Sequence, residues 1–125
     1  MSLEPGLRGV VDAVVGPADT ASALGSGEVA VLGTPRVLAL LEAATVRAVR
    51  GQLGPGATTV GARVELDHRA PTTVGATVRA EAELTEVAGN RFSFDVVLLV
   101  GDEVVARGRI ARVVVHAASF GGQRG

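Results

Sequence analysis

The sequence predicts an α+β domain in which one antiparallel sheet curls around one long helix. Three observations support this prediction: one stretch has helical periodicity, five stretches have the composition or alternation of strands, and the turns between the later strands are short. An antiparallel sheet with one apolar face must cover that face, and the single helix is the only cover in the sequence.

Length and composition predict one globular domain over residues 1–125, with an apolar fraction of 47%. The net charge is -1, and the arginines are spread along the chain rather than gathered into a basic run. Phenylalanine is the only aromatic residue type, with three copies, so a stacking platform for bases is not expected. Nucleic acid is therefore not a predicted partner.

Cysteine is absent, which excludes disulfides, a thiolate nucleophile and cysteine-ligated metal sites. The two histidines lack a matching carboxylate spacing, so no metal or other cofactor is predicted. The first residues lack the basic and apolar regions of a signal peptide, and the apolar run at residues 96–100 is too short to cross a bilayer. We expect a cytoplasmic protein with no membrane partner.

The first element is a strand predicted over residues 7–15, which Gly16 and Pro17 end. Residues 18–27 are small, polar and rich in glycine, a composition typical of a mobile loop. Because this loop precedes the helix, it is a candidate lid.

The predicted helix begins at Thr34, which is a good N-cap, and Pro35 suits the first helical position. The helix extends to about Arg50, where glycines at positions 51, 54 and 56 end it. One face is expected to be buried. The residues that project together on this face are Leu38, Leu41, Thr45 and Ala48.

After the helix, the alternation has a period of two and predicts four strands joined by turns in a meander. One face of the first of these strands is expected to lie under the helix. Its residues are Val60, Ala62, Val64, Leu66 and His68. The later strands are predicted at residues 77–85, 92–100 and 103–115.

Glu42 is the most informative carboxylate, because it projects beside the apolar side of the helix. No arginine lies three or four residues away from it, so an ion pair within the helix does not explain it. One interpretation is a carboxylate at the rim of the core, which reaches water or an arginine from a strand. The other is a partly desolvated catalytic base. The position of Glu42 on the helix does not decide between these two interpretations.

Three further residues have both a structural and a functional interpretation. His68 points toward the helix, either as a hydrogen-bonded core residue or as a catalyst. Thr34 is a helix cap, or its hydroxyl and the free amides of Arg36 and Val37 hold a negative charge. Gly61 interrupts a strand, which indicates either a bulge or the close approach of another chain or a ligand.

In the order and spacing of these residues, the segment 33–120 resembles the fluoroacetyl-CoA-thioesterase-like proteins. The similarity lies in Thr34 opening the helix, Glu42 eight residues later and the strand from Gly61 to His68. It extends to Pro71 with Gly75, and to the ending at residues 112–116.

The resemblance implies a hotdog fold, with an antiparallel sheet wrapped around one long central helix, and hydrolysis of a small acyl-CoA thioester. It implies that Thr34, Glu42 and His68 are catalytic, and that Gly61 and Arg112 help to bind the substrate. It also implies a homodimer with acyl-CoA at its interface, while the pairing of dimers into a tetramer stays open.

Other points stay open at the level of sequence. Glu42 is either a nucleophile or a base for water, and neither the acyl group nor the pathway is defined. The family uses phenylalanines above its pocket, whereas residues 18–32 contain no aromatic residue, which predicts broad selectivity. The alternatives are a hotdog enoyl hydratase or dehydratase, and a non-catalytic acyl-CoA-binding dimer in which Glu42 and His68 satisfy each other.

Overall fold

The computed structural model describes residues 3–119 as one antiparallel sheet packed on one long helix. The strands and α-helices in chain order are β1 (Arg8–Val14), α1 (Ala21–Leu24), α2 (Thr34–Ala48), β2 (Ala57–His68), β3 (Thr77–Ala88), β4 (Arg91–Val100) and β5 (Glu103–His116). The segments Pro17–Asp19 and Ala117–Ser119 form 3₁₀ turns. Phe120, at the end of the stretch that carries the resemblance, lies outside the described residues.

The five strands follow the order β1-β3-β4-β5-β2, and all neighbours are antiparallel. The predicted α+β architecture is confirmed. The meander contains three strands rather than the predicted four, because residues 69–76 carry the chain from β2 at one edge of the sheet to β3 near the other. None of the helices over residues 3–119 is long and apolar enough to cross a bilayer.

Helix α2 packs on one face of the sheet. Its buried residues are Val37, Leu40, Leu41, Ala44, Thr45 and Ala48. A Cβ on Gly9 of β1 would collide with the backbone of Ala44 and Ala48, so this glycine allows the helix to approach the sheet closely. Phe92 and Phe94 fill the core beneath the helix. Burial of each such side chain contributes about 2 kcal/mol to folding.

Strand β2 contains a bulge, because Gly61 pairs with Arg112 whereas Arg63 pairs with Ala111. The extra residue, Ala62, changes which residues face the helix. Positions 59 and 61 face it before the bulge, and positions 64, 66 and 68 face it afterwards. The predicted single face is therefore wrong for Val60 and Ala62. The bulge also places Gly61 and His68, seven residues apart, on the same side of the strand.

The segment before α2 contains a 3₁₀ turn and the short helix α1, where its composition predicted a loop. Asp19 joins it to the beginning of α2: its carboxylate lies 3.0 Å from Arg36 Nε, and its carbonyl oxygen accepts from the Gly33 amide at 2.9 Å. The Asp19 side chain also accepts from the Gly16 amide at 2.8 Å. Local polar contacts, rather than apolar burial, give this short segment its structure.

Candidate active site

Thr34 is the first helical residue of α2, and the N-cap is Gly33 rather than the predicted Thr34. Gly33 has the extended backbone of a cap, and its carbonyl oxygen accepts from the amides of Arg36 and Val37, both at 3.0 Å. The Thr34 hydroxyl is therefore not used to cap the helix. Instead, Thr34 Oγ1 lies 2.8 Å from His68 Nδ1.

These hydrogen bonds determine which groups are available to stabilise a negative charge at the beginning of α2. The amides of Arg36 and Val37 were predicted to be free donors for a negative oxygen, but both donate to Gly33. The side chains of Thr34 and His68 are the polar groups that the structure brings together here.

His68 is the last residue of β2 and is half-buried. Its Nδ1 contacts Thr34, while its Nε2 is buried without a hydrogen-bond partner in the described part of the chain. Buried polar atoms in folded proteins nearly always have hydrogen-bond partners. A buried atom without one is a candidate for a functional contact, such as a contact with a bound substrate. The Nε2 atom is therefore suited to contact a polar atom of a substrate.

Glu42 projects from the middle of α2 toward β2, and its side chain is 35% exposed. Its Oε2 lies 3.3 Å from Arg112 Nη1. A Cβ on Gly61 would lie only 2.8 Å from the same oxygen, so the glycine leaves room for the carboxylate. Gly61 thus combines both features suggested by the sequence: a bulge follows it, and a group approaches it closely, although that group belongs to its own chain.

Arg112 is 6% exposed and places its guanidinium between β2 and α2. Its Nε donates to Thr59 Oγ1 at 2.7 Å, and its Nη2 donates to the Thr59 carbonyl oxygen at 2.8 Å. Burial lowers the pKa of Arg112, and the nearby Glu42 carboxylate opposes that effect. The side chain stays cationic, as arginine does in proteins. The residue predicted to bind substrate thus contacts Glu42 and Thr59.

Two threonines near Glu42 were not predicted as site residues. Thr59 holds Arg112, and Thr45 Oγ1 donates to the Glu42 carbonyl oxygen at 2.6 Å. A regular β2 with Val60 facing the helix would turn Thr59 away from the helix. The available signal was Gly61: placing a bulge there changes the alternation and turns Thr59 toward the helix.

The candidate site has two parts along α2. The histidine end comprises Thr34 and His68, and the arginine end comprises Glu42, Thr59, Gly61 and Arg112. Thr34 and Glu42 are separated by about 12 Å along the helix axis. Among the described residues, Glu42 has no hydrogen bond to Thr34 or His68.

The side chains in these two parts have the chemistry of acyl transfer. A carboxylate can act as nucleophile or base, an imidazole can transfer protons, and a hydroxyl can donate to a negative oxygen. Within residues 3–119, no group of three or more acidic or histidine side chains could hold a metal ion.

Comparisons with known proteins connect this geometry to one family. The model of the fluoroacetyl-CoA-specific thioesterase family matches residues 15–118. A fluoroacetyl-CoA thioesterase from Streptantibioticus cattleyicolor is 36% identical over 90 residues, which cover 72% of this chain and 65% of that relative. The match thus spans less than two thirds of the relative's length.

Solved structures give the same fold. A variant of the fluoroacetyl-CoA-specific thioesterase in complex with fluoroacetate and CoA has a TM-score of 0.88 at 32% identity, covering 94% of this chain and 99% of that one. A hot-dog-like protein from Thermanaerovibrio acidaminovorans has a TM-score of 0.82 at 24% identity, covering 92% of this chain and 85% of that one. The predicted hotdog fold is confirmed.

Proposed function

The chain belongs to the fluoroacetyl-CoA-specific thioesterase family, and from this premise we propose that it hydrolyses short acyl-CoA thioesters with Thr34, Glu42 and His68. The observation that carries the proposal is the 2.8 Å contact between Thr34 Oγ1 and His68 Nδ1. The other ring nitrogen of His68 is buried and has no hydrogen-bond partner in the part of the chain that the structure describes. Hydrolysis breaks the bond between the acyl carbon and sulfur, and it yields a free acid and the CoA thiol.

At the histidine end, we assign proton transfer to His68 and charge stabilisation to Thr34. When Thr34 donates its hydroxyl hydrogen to Nδ1, the proton of the neutral imidazole lies on Nε2. In that tautomer, Nε2–H can only donate a hydrogen bond to the departing sulfur. In the other tautomer, Nδ1 donates to Thr34, whose own hydroxyl hydrogen is free to contact the thioester oxygen. The Nε2 lone pair can then take a proton from water, and the imidazolium so formed can pass that proton to the departing thiolate.

At the arginine end, Glu42 supplies the negative charge that begins the reaction. As nucleophile, it would attack the acyl carbon and form an anhydride that water then hydrolyses; as base, it would take a proton from the attacking water. Both routes need an ionised carboxylate, and Arg112 Nη1 lies 3.3 Å from Oε2 of Glu42. The choice between the two routes stays open.

The proposed functional form is a homodimer with acyl-CoA at the subunit interface. Strand β2 is an edge of the sheet, and Val60 and Val64 on this strand are 42% and 39% exposed. An unpaired edge with exposed apolar residues is suited to pair with a second copy. Light scattering should give at least the mass of a dimer, and a stable monomer at micromolar concentration would contradict the shared site.

A second candidate function is acyl-CoA binding without turnover. The contact between Glu42 and Arg112 favours it, because it is the pairing expected of a carboxylate that only stabilises the fold. A hotdog hydratase would use a similar histidine and carboxylate, but it would add water to a double bond and leave the thioester intact.

The deciding experiment measures thiol release from a panel of short acyl-CoAs, together with enoyl absorbance and binding. Thiol release supports hydrolysis, a loss of enoyl absorbance without thiol supports hydration, and binding without either supports the second candidate. Because residues 18–32 contain no aromatic residue, we expect broad selectivity among short acyl groups. A preference for fluoroacetyl-CoA over acetyl-CoA of about a thousandfold would contradict that expectation.

A further inference from the structure

We infer that Thr59 is a positioning residue for the reaction: it fixes the Arg112 guanidinium, which in turn fixes the Glu42 carboxylate. This inference rests on the proposed thioester hydrolysis and extends it to a residue that does not touch the reacting atoms. Thr59 lies on β2, whereas Glu42 lies on α2, and Arg112 on β5 connects the two.

The hydrogen bonds of Arg112 define the direction of its remaining donor. A guanidinium is planar and presents its N–H groups in a rigid fork. Thr59 accepts from two of its nitrogens, through the hydroxyl oxygen at 2.7 Å and the carbonyl oxygen at 2.8 Å. With two nitrogens fixed by one residue, Nη1 is aimed at Glu42 Oε2, 3.3 Å away.

Burial makes this arrangement sensitive to the loss of one contact. Arg112 and Thr59 are each 6% exposed, so water has little access to replace a missing hydrogen bond between them. The lost interaction is also charge-assisted, and such bonds are stronger than neutral ones. Removal of the Thr59 hydroxyl should therefore let the guanidinium rotate away from Glu42.

Within residues 3–119, Arg112 is the one hydrogen-bond donor to the Glu42 carboxylate. Gly61 provides space beside Oε2 but no side chain, and Thr45 bonds the Glu42 backbone rather than the carboxylate. The direction of the carboxylate thus depends on Arg112, and through it on Thr59.

The activity test compares Thr59→Val, which removes the hydroxyl at constant shape, with Thr59→Ser, which keeps it. Thr59→Val should lower kcat about tenfold or more and leave KM nearly unchanged, because the reacting group is misplaced while binding is intact. Thr59→Ser should restore most of kcat. The matched control is Thr58→Val, the same change at the adjacent position of β2, which should leave kcat unchanged.

A double substitution tests whether Thr59 acts through Glu42. In a Glu42→Gln background, Thr59→Val should lower the residual rate no further, since the group that it positions is already disabled. A tenfold loss that persists in this background would overturn the proposed connection, and so would a wild-type kcat in Thr59→Val alone.

A spectroscopic measurement decides the positioning step without any turnover. The buried Nε–H of Arg112 should give a slowly exchanging proton–nitrogen NMR signal, present in the wild type and Thr59→Ser and lost in Thr59→Val. If the signal persists in Thr59→Val, the inference is overturned, even when the wild-type protein hydrolyses acyl-CoA rapidly. If the wild type releases no thiol from any acyl-CoA, the proposed function fails, and loss of the signal in Thr59→Val still shows that Thr59 fixes Arg112.

Discussion

The histidine end and the arginine end of the site are held in different ways. At the histidine end, one hydrogen bond joins the exposed Thr34 to His68, and Nε2 of His68 has no hydrogen-bond partner among residues 3–119. At the arginine end, three hydrogen bonds from the buried Arg112 connect Thr59 and Glu42. In the proposed reaction, the residue assigned to proton transfer has one hydrogen bond, whereas the assigned carboxylate faces a guanidinium that two further hydrogen bonds hold in place.

This contrast also separates the energetic roles of the two ends. Substitutions at the histidine end should change the reaction and leave folding nearly intact. Substitutions that remove hydrogen bonds of Arg112 at the arginine end should affect both, because these bonds lie between α2 and two strands. Variants at the two ends test this difference between effects on turnover and effects on stability.

The largest effect is expected from Glu42→Gln and His68→Asn, which keep size and polarity and remove ionisation. Each should lower turnover by about a hundredfold or more, the usual scale for losing an acid or base group. Thiol-release rates and thermal melts on the same samples measure both consequences. Near-wild-type turnover in both variants would rule out the catalytic assignment, whatever happens to the melting temperature.

The next effect concerns stability at the arginine end. Arg112→Leu leaves the buried oxygens of Thr59 without their donor, and it should lower the free energy of unfolding by about 2 to 3 kcal/mol. The matched control is Arg109→Leu on the same strand. Arg109 pairs with Asp95 at 3.4 Å on an exposed surface, so its loss should change stability by less than about 1 kcal/mol. Urea unfolding measures both, and equal losses would contradict the comparison.

The two ends also differ in how well the sequence predicted them. The helix was placed correctly because its apolar period and its glycine-rich ending are local signals, and the five strands follow from alternation and turns. Thr34, Glu42 and His68 were selected from their positions on these elements. Their spacing resembles that of the family to which the chain belongs.

The arginine end depends on a non-local feature, which is why its details were missed. The bulge after Gly61 is stabilised by the pairing of β2 with β5, and alternation within β2 alone does not locate it. Without the bulge, Thr59 faces outward and cannot receive Arg112. The N-cap was displaced for a similar reason: Thr34 is a good cap in isolation, but His68, a residue 34 positions away, contacts its hydroxyl.

A smaller effect is expected from Gly61→Ala, which separates activity from stability within the arginine end. The new Cβ would lie 2.8 Å from Glu42 Oε2, so the carboxylate must move. Turnover should fall about tenfold, because a displacement of about 1 Å at a reacting group can have a large effect. Gly61 is not among the glycines with positive φ, so stability should change by less than about 1 kcal/mol.

The control for this change is Gly54→Ala. A Cβ at Gly54 would have no heavy atom within 4 Å, and its backbone also lacks a positive φ, so both turnover and melting temperature should remain at their wild-type values. If Gly61→Ala behaved in the same way, close approach of the carboxylate to β2 would not be needed for the reaction.

The smallest stability effect is expected from Thr34→Ala at the histidine end. Loss of a threonine N-cap lowers stability by about 1 kcal/mol, but Gly33 is the cap of α2, so we expect a change of less than about 0.5 kcal/mol. Turnover should still fall about tenfold, because His68 Nδ1 loses its hydrogen-bond partner and the hydroxyl proposed to stabilise negative charge is removed. Thr34→Ser keeps the hydroxyl and should retain most of the rate. If Thr34→Ala instead lowered the free energy of unfolding by about 1 kcal/mol and left turnover unchanged, Thr34 would be a structural residue. The chemistry of the histidine end would then depend on His68 alone.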